Sequence, residues 1–144
     1  MNNTQASNPP EVVVGVYVRH TASGKVLLTK SSKWTVWGVH GGHVDFGETI
    51  AEAAVRETQE EVGLNTRFVK VLRYRESIHP PAFNRDAHLI VFHCLVESDS
   101  DEVHIDGVEI VDYRWIHPSD ISQYPTGENV ATTMSYLQHP IKEG

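Results

Sequence analysis

Several features are scarce in this chain of 144 residues, and each scarcity excludes a class of protein. Cys94 is the single cysteine, which argues against a disulfide-built protein and favours a reducing compartment such as the cytoplasm. No uninterrupted apolar run is long enough to span a membrane. The first ten residues, MNNTQASNPP, lack the apolar centre of a signal peptide, and we expect residues 1–10 to form a flexible tail.

Positive charge is also scarce. Twelve Lys and Arg residues against nineteen Asp and Glu residues give a formal net charge of -7. This charge disfavours non-specific binding to long nucleic acid, although a nucleotide can still enter together with a metal ion. We therefore expect small-molecule partners, and neither long nucleic acid nor a membrane. The length fits one domain at residues 11–144, with a sufficient core.

The segment GHVDFGETIAEAAVRETQEEVGL, residues 42–64, carries the most chemical information. Its apolar residues recur with helical spacing and predict a helix from about Glu48 to Val62. Gly47 and the glycine pair before it predict a tight loop, and Gly63 predicts a left-handed helix end. The predicted buried face consists of Ala51, Ala54, Val55, Thr58 and Val62.

Three carboxylates share one edge of this predicted helix. Glu57, Glu60 and Glu61 fall within about 100° of one another, on a different flank from the apolar face. In a sheltered site, two carboxylates about 6 Å apart repel by roughly 3 kcal/mol, whereas a solvated acidic surface, the alternative interpretation, costs only a few tenths. Hard oxygen ligands favour Mg²⁺ or Mn²⁺ over zinc. The pattern therefore predicts a divalent-metal site that handles a pyrophosphate.

Other runs predict the remaining elements. Strands are predicted at EVVVGVYVRH, KVLLTK, NTRFVKVLRYRESI, AHLIVFHCLVES and VEIVDYRWI. A loop is predicted near Pro80 to Arg85, and SDSDEVHIDG is predicted to be an exposed connection. A short helical turn is predicted at HPSDISQYP, near Pro118 or Ser119, and a final helix at GENVATTMSYLQHP. That helix would bury Val130, Met134 and Leu137.

Residues 42–64 resemble the signature of the Nudix hydrolases, which cleave nucleoside diphosphates linked to another moiety. All seven charged or glycine positions of the signature match. Two positions depart, with Thr58 where the family usually has an aliphatic residue and His40 where it commonly has proline. We expect Thr58 to cost a little packing and no chemistry. The similarity extends over about residues 11–138 and implies an α/β fold, a Nudix-type α/β/α sandwich with a central mixed β-sheet, as interleaved strands and helices also predict.

The resemblance also implies catalytic roles. Glu57, Glu60 and Glu61 would bind the divalent ions, and Glu57 is a candidate for the base that deprotonates water. Arg56 would orient the carboxylates, and Glu48 would support them as a structural carboxylate.

Two further metal ligands are expected. The backbone carbonyl of Gly42 can supply one oxygen, because the missing side chain permits close approach. A ligand or base from outside the signature is expected near the last strand, where Glu109 is the first candidate and Glu102 the second.

Aromatic and basic residues are the candidates for substrate binding, with packing as their alternative role. A base could stack on Trp34, Trp37, Tyr74 or Phe83, and Arg73, Arg75 or Arg85 could reach a phosphate. His40 and His43 flank the glycine pair and are further candidates for phosphate contact. His88 and His93 are five residues apart in a predicted strand and should face opposite sides, with core or rim packing as the expected role.

Among Nudix members, the chain is most similar to the nucleoside triphosphatase branch. This similarity implies cleavage of a nucleoside triphosphate to monophosphate and pyrophosphate, with Mg²⁺ or Mn²⁺ as cofactor. ADP-ribose, a nucleotide sugar and a dinucleoside polyphosphate are the alternative substrates. The alternative class is a nucleotide-binding sensor, which the intact carboxylates disfavour. A homodimer is compatible with the resemblance, since dimers are frequent in the family.

Overall fold

The computed structural model describes residues 9–80 and 86–138. In this part of the chain, seven strands form one mixed sheet. The strands are β1 Glu11–His20, β2 Val26–Ser31, β3 Trp37–Gly38, β4 Gly41–His43, β5 Arg67–Ile78, β6 His88–Ser98 and β7 Ile110–Ile116. The helices are α1 Ile50–Val62, a 3₁₀ helix Pro118–Gln123 and α2 Glu128–Ser135. The predicted α/β fold is confirmed, while most of the predicted tail, residues 1–8, lies outside the described residues.

The parallel pair of β1 and β6 forms the centre of the sheet. It runs from Glu11 opposite Leu89 to His20 opposite Ser98, and β5 pairs antiparallel with the other edge of β6. Two strands pair with the edge of β1 that faces away from β6. Strand β4 pairs with its first half, and β2 pairs with its end at Arg19. This sharing places the glycine pair of β4 beside the beginning of β1.

Strand β1 contributes to two hydrophobic cores because successive side chains point to opposite faces of the sheet. Val14, Val16 and Val18 belong to the core that contains the buried residues of α1. Tyr17 belongs to the other core, together with Met134 of α2. Helices therefore cover both faces, as in the predicted sandwich. Neither α-helix of the described residues is long and apolar enough to cross a lipid bilayer.

Helix α1 begins two residues later than predicted. Thr49 is its N-cap, and a capping box joins Thr49 and Glu52 through two bonds of 3.1 Å. Gly63 ends the helix at a φ of 70°, which confirms the predicted left-handed end. The prediction that Ala51 and Val55 are buried is wrong. Both residues line a surface depression together with Phe68 of β5 and stay partly exposed. The buried positions are Ala53, Ala54, Thr58 and Val62.

The connection between β6 and β7 is mostly exposed, as predicted, with two exceptions. Val103 is buried in the α1 core, and Ile105 packs against the same core. The indole of Trp115 donates to the Asp101 carbonyl at 3.0 Å, which holds the connection against β7. The predicted packing of the final helix is confirmed for Val130 and Met134, which pack into the second core. Leu137 packs there too, but it lies beyond the end of α2 at Ser135. Of the loop predicted near Pro80 to Arg85, residues 81–85 lie outside the described part of the chain.

Candidate active site

Arg56 organises the acidic cluster on α1. Its Nε and Nη2 atoms donate to the two oxygens of Glu48 at 2.7 and 2.9 Å. Its Nη1 atom donates to Glu57 at 3.0 Å and Glu60 at 3.1 Å, and Nη2 also reaches the carbonyl of His43 at 3.0 Å. Paired bonds of this kind hold a carboxylate in a fixed direction. Chiefly because of the Arg56 bonds, the pKa of Glu48 falls to about 2, and that of Arg56 rises.

Glu57 lies against the backbone of β4. A Cβ atom at position 42 would stand 2.5 Å from the carboxylate carbon of Glu57, so the close approach requires Gly42. Burial raises the pKa of Glu57, and the bond and charge of Arg56 oppose that effect. The carboxylate is therefore held beside a bare stretch of backbone.

Glu61 stands on the same side of α1. Its Oε2 atom accepts from the backbone N–H of Gly41 at 3.1 Å. Burial, and after it the charge of Glu57, raises the pKa of Glu61 to about 7, and the charge of Glu109 adds to the effect. None of the described basic side chains forms an ion pair with Glu61. The backbone bond from Gly41 is thus not accompanied by a positively charged partner among the described side chains.

These observations fit a divalent cation. Glu57 and Glu61 offer hard oxygen ligands, and the Glu57 carboxylate lies in the space that a side chain at position 42 would fill. Within residues 9–80 and 86–138, however, no three His, Cys, Asp or Glu side chains form a ready metal cluster. Glu60 explains this in part, because its side chain is 58% exposed and bound to Arg56. The structure therefore brings two of the three predicted carboxylates together and leaves the third at the edge.

The two candidates from outside the signature differ in position. Glu109 precedes β7, its carbonyl accepts from Ser32 N at 2.9 Å, and its charge raises the pKa of Glu61. Glu102 is exposed and lies beside His104, 3.7 Å away. Of the two, Glu109 is the one whose charge acts on the cluster.

A cavity of about 510 Å³ adjoins the cluster. Gly41 and Gly42 line this cavity and also contact the carboxylates of Glu61 and Glu57. The glycine pair is therefore the common wall between the cavity and the acidic cluster.

The predicted substrate-binding residues lie in different places. Trp34 is 46% exposed at the cavity wall, and Trp37 lines the cavity but is otherwise buried, with Lys30 and Arg114 over its ring. Arg75 also lines the cavity. Phe83 and Arg85 lie outside the described residues.

Three other candidates have partners of their own, and two of these contacts are at the cavity, since His43 and Asn129 line it. Tyr74 is exposed with its ring near Phe92. Arg73 reaches Asn129 at 3.5 Å, and His43 pairs with the carboxylate of Glu11 at 2.7 Å.

His40 is buried and bound to α1. Its Nε2 atom lies 2.9 Å from Oγ1 of Thr58, whose hydroxyl donates to the carbonyl of Ala54 at 2.7 Å. The imidazole must therefore donate from Nε2, and burial lowers its pKa to about 4, which keeps the ring neutral. The two departures from the signature thus contact each other. The sequence contained this signal, as two unusual polar residues around one motif, but the interpretation treated them separately.

The sequence interpretation also gave no binding role to His93. Its ring is buried in the cavity wall over Gly15, and Arg75 donates to it. A histidine in an apolar strand carries no signal that distinguishes a cavity wall from a core.

Comparisons with known proteins identify relatives of this chain. The family model for the NUDIX domain matches residues 9–136. The m7GpppN-mRNA hydrolase NUDT17 of Xenopus laevis is 40% identical over 99 residues, covering 62% of this chain and 33% of that protein. A putative 8-oxo-dGTP diphosphatase of Bacillus subtilis (strain 168) is 34% identical over 97 residues, covering 67% and 60%. The chain spans less than two thirds of either relative. A NUDIX-family hydrolase structure from Clostridium perfringens shares the fold, with a TM-score of 0.73 at 20% identity over 90% of this chain and 97% of that one.

Proposed function

This chain belongs to the Nudix family, and we propose that it hydrolyses a phosphoanhydride bond in a nucleoside diphosphate derivative with Mg²⁺ or Mn²⁺. One observation carries the proposal. Glu57 and Glu61 lie against Gly42 and Gly41, and these two glycines line the cavity. A purely structural domain would have no use for two carboxylates with raised pKa values and no full set of partners.

Glu57 and Glu61 would hold the cation, with the carbonyl of Gly42 and the side chains of Glu60 and Glu109 as further candidate ligands. When bound, the cation would neutralise the diphosphate and lower the pKa of a coordinated water.

The chain itself supplies positioning and a proton acceptor. Arg56 fixes Glu48 and Glu57 through charge-assisted bonds, so the cluster needs little reorganisation when substrate arrives. A carboxylate of the cluster takes the proton from the attacking water, which must lie within hydrogen-bond reach of it.

For the substrate, we propose a nucleoside triphosphate that is cut to monophosphate and pyrophosphate. The cavity volume, about 510 Å³, lies in the range of pockets that take small molecules. Trp34 exposes an aromatic face at the cavity wall, and Arg75 offers positive charge within it. The diphosphatase name of the Bacillus subtilis relative supports the same class.

The test is release of phosphate and pyrophosphate from a panel of nucleoside triphosphates, ADP-ribose, nucleotide sugars and dinucleoside polyphosphates, with and without Mg²⁺. We expect metal-dependent pyrophosphate from the triphosphates. Product identity locates the attacked phosphorus. Binding without cleavage would instead indicate the sensor class.

A variant pair sharpens this test. Glu61→Gln should lower turnover by several orders of magnitude and leave circular dichroism unchanged, because it removes one negative ligand without changing side-chain size. Glu76→Gln makes the same chemical change on an exposed position of β5 and should keep the wild-type rate. Wild-type turnover by Glu61→Gln at saturating Mg²⁺ would overturn the assignment.

A further inference from the structure

A row of paired residues crosses the sheet from the acidic cluster. Gly41 of β4 pairs with Gly15 of β1, and Gly15 pairs with His93 of β6. Neighbouring strands are about 4.8 Å apart, so the backbone at His93 lies about 10 Å from the backbone at Gly41. This separation is close to the length of a ribose with its first phosphate. A nucleotide whose phosphates meet Glu57 and Glu61 can therefore place its base near His93.

His93 has an unused hydrogen-bond donor. The ring is 3% exposed, and Arg75 Nε donates to its Nε2 atom at 3.2 Å. Because Nε2 accepts, the ring proton is on Nδ1, and Nδ1 has no partner among the described residues. Burial, and then the charges of Arg75 and Arg73, lowers the pKa of His93 to about 4, so the ring is neutral. Buried donors without partners are rare in folded proteins.

Gly15 lies beside this donor. A Cβ atom at position 15 would lie 3.5 Å from Nδ1 of His93, in van der Waals contact with it, so the missing side chain removes one group that would cover the buried N–H. Gly15 and His93 both line the cavity.

Arg75 supplies further donors at the same place. It lines the cavity, and its only hydrogen bond to a described residue is the one from Nε to His93. No carboxylate of the described residues forms an ion pair with it. The surrounding wall is apolar, with Leu89 and Val91 from β6. The cavity therefore presents donors in an apolar setting, which suits the carbonyl oxygen of a flat base better than a second phosphate.

We propose that Arg75 and His93 select a nucleobase that carries a carbonyl oxygen, such as guanine or hypoxanthine, over adenine. This inference rests on the proposed function, since it names the base of the same substrate. With Nε2 of His93 already accepting from Arg75, the positions left free on both groups are donors, and donors match carbonyl oxygens. Adenine presents an amino group, itself a donor, where guanine presents an oxygen, and would leave the protein donors unpaired.

Inosine and adenosine monophosphates test the proposal, because these purine nucleotides differ at the carbonyl or amino group of the base. Calorimetric titration with Mg²⁺ should show inosine monophosphate binding at least about tenfold more tightly than adenosine monophosphate. His93→Phe keeps a flat ring without the donor and should reduce this ratio to within about threefold. The affinity for inorganic pyrophosphate should stay unchanged.

Two more variants complete the design. Arg75→Gln removes the guanidinium at a less buried position and should also reduce the ratio of the two affinities. If His93→Phe does not fold, this variant tests the proposal by itself. His88→Phe makes the same replacement on the opposite face of β6 and should leave the ratio unchanged.

Equal affinity for the two monophosphates in the wild type, or a ratio that survives in both cavity variants, would overturn the proposal. The proposal would also be overturned if the cavity variants lost affinity for pyrophosphate and kept their base discrimination, because the donors would then bind phosphate. Pyrophosphate release by the wild type tests the proposed function separately. Metal-dependent release without base preference rejects only this inference, and base-selective binding without release rejects only the proposed function.

Discussion

The buried bond between His40 and Thr58 allows a quantitative prediction. Thr58→Val keeps the shape of the side chain and removes the oxygen that accepts from His40 Nε2. The imidazole is 4% exposed, so its N–H would stay buried without a partner. Such an orphaned donor costs about 1–3 kcal/mol of unfolding free energy. For a domain of this size, we expect Tm to fall by roughly 2–4 °C for each kcal/mol.

Replacing the other partner of the bond, His40, should cost less unfolding free energy. In His40→Leu, the Thr58 hydroxyl can still donate to the Ala54 carbonyl, so no buried donor is orphaned. The double variant replaces both polar partners by apolar groups and should be more stable than Thr58→Val alone. We expect a coupling energy between the two positions of about 0.5–3 kcal/mol.

Urea unfolding of the four proteins measures these differences. Thr133→Val is the control, because Thr133 is also buried and donates to a carbonyl one turn earlier at 2.7 Å. Its hydroxyl accepts a long contact of 3.4 Å from Arg73, which is partly exposed and can turn to solvent, where Thr58 accepts from a buried histidine. Thr133→Val should lose less stability than Thr58→Val. If Thr58→Val unfolds at the wild-type urea concentration, or if His40→Leu is the more damaging single change, the assigned direction of the bond is wrong.

Three further predictions concern the site. Gly42→Ala should displace the Glu57 carboxylate and lower turnover by about 100-fold, since a displacement of about 1 Å can cost that much; an alanine variant with wild-type kcat would contradict the contact. Arg56→Lys keeps the charge but loses the paired bonds, so NMR titration should find the pKa of Glu48 well above about 2, and an unchanged value would count against the network. The pKa of His93 is about 4 in the folded protein, against an ordinary value of 6.5. As the pH is lowered, the unfolded chain therefore binds a proton before the folded protein does. The free energy of unfolding should fall by up to about 1.4 kcal/mol for each pH unit between pH 6.5 and 4. His93→Gln should remove this part of the slope, and calorimetry that finds the same acid sensitivity would refute it.

Part of the fold could be predicted from local pattern. Strand β1 matches the run EVVVGVYVRH from end to end, and β5 ends where NTRFVKVLRYRESI ends. The start of α1 was wrong although its signal was present, since Thr49 and Glu52 form a capping box that the sequence spells out. The exposure of Ala51 could not be predicted, because it depends on the rotation of α1 about its own axis relative to the sheet.

The sequence by itself determined that Glu57 and Glu61 share one edge of a helix, because one turn of backbone fixes their spacing. It did not place the glycine pair, which lies in strand β4 and not in the tight loop predicted before the helix. Only the tertiary structure decided which strand faces that edge, and so joined Gly41 and Gly42 to the carboxylates. The contacts of His40 with Thr58 and of Arg75 with His93 each join residues 18 positions apart in different elements. Such pairs depend on strand register and helix docking, which no local pattern encodes.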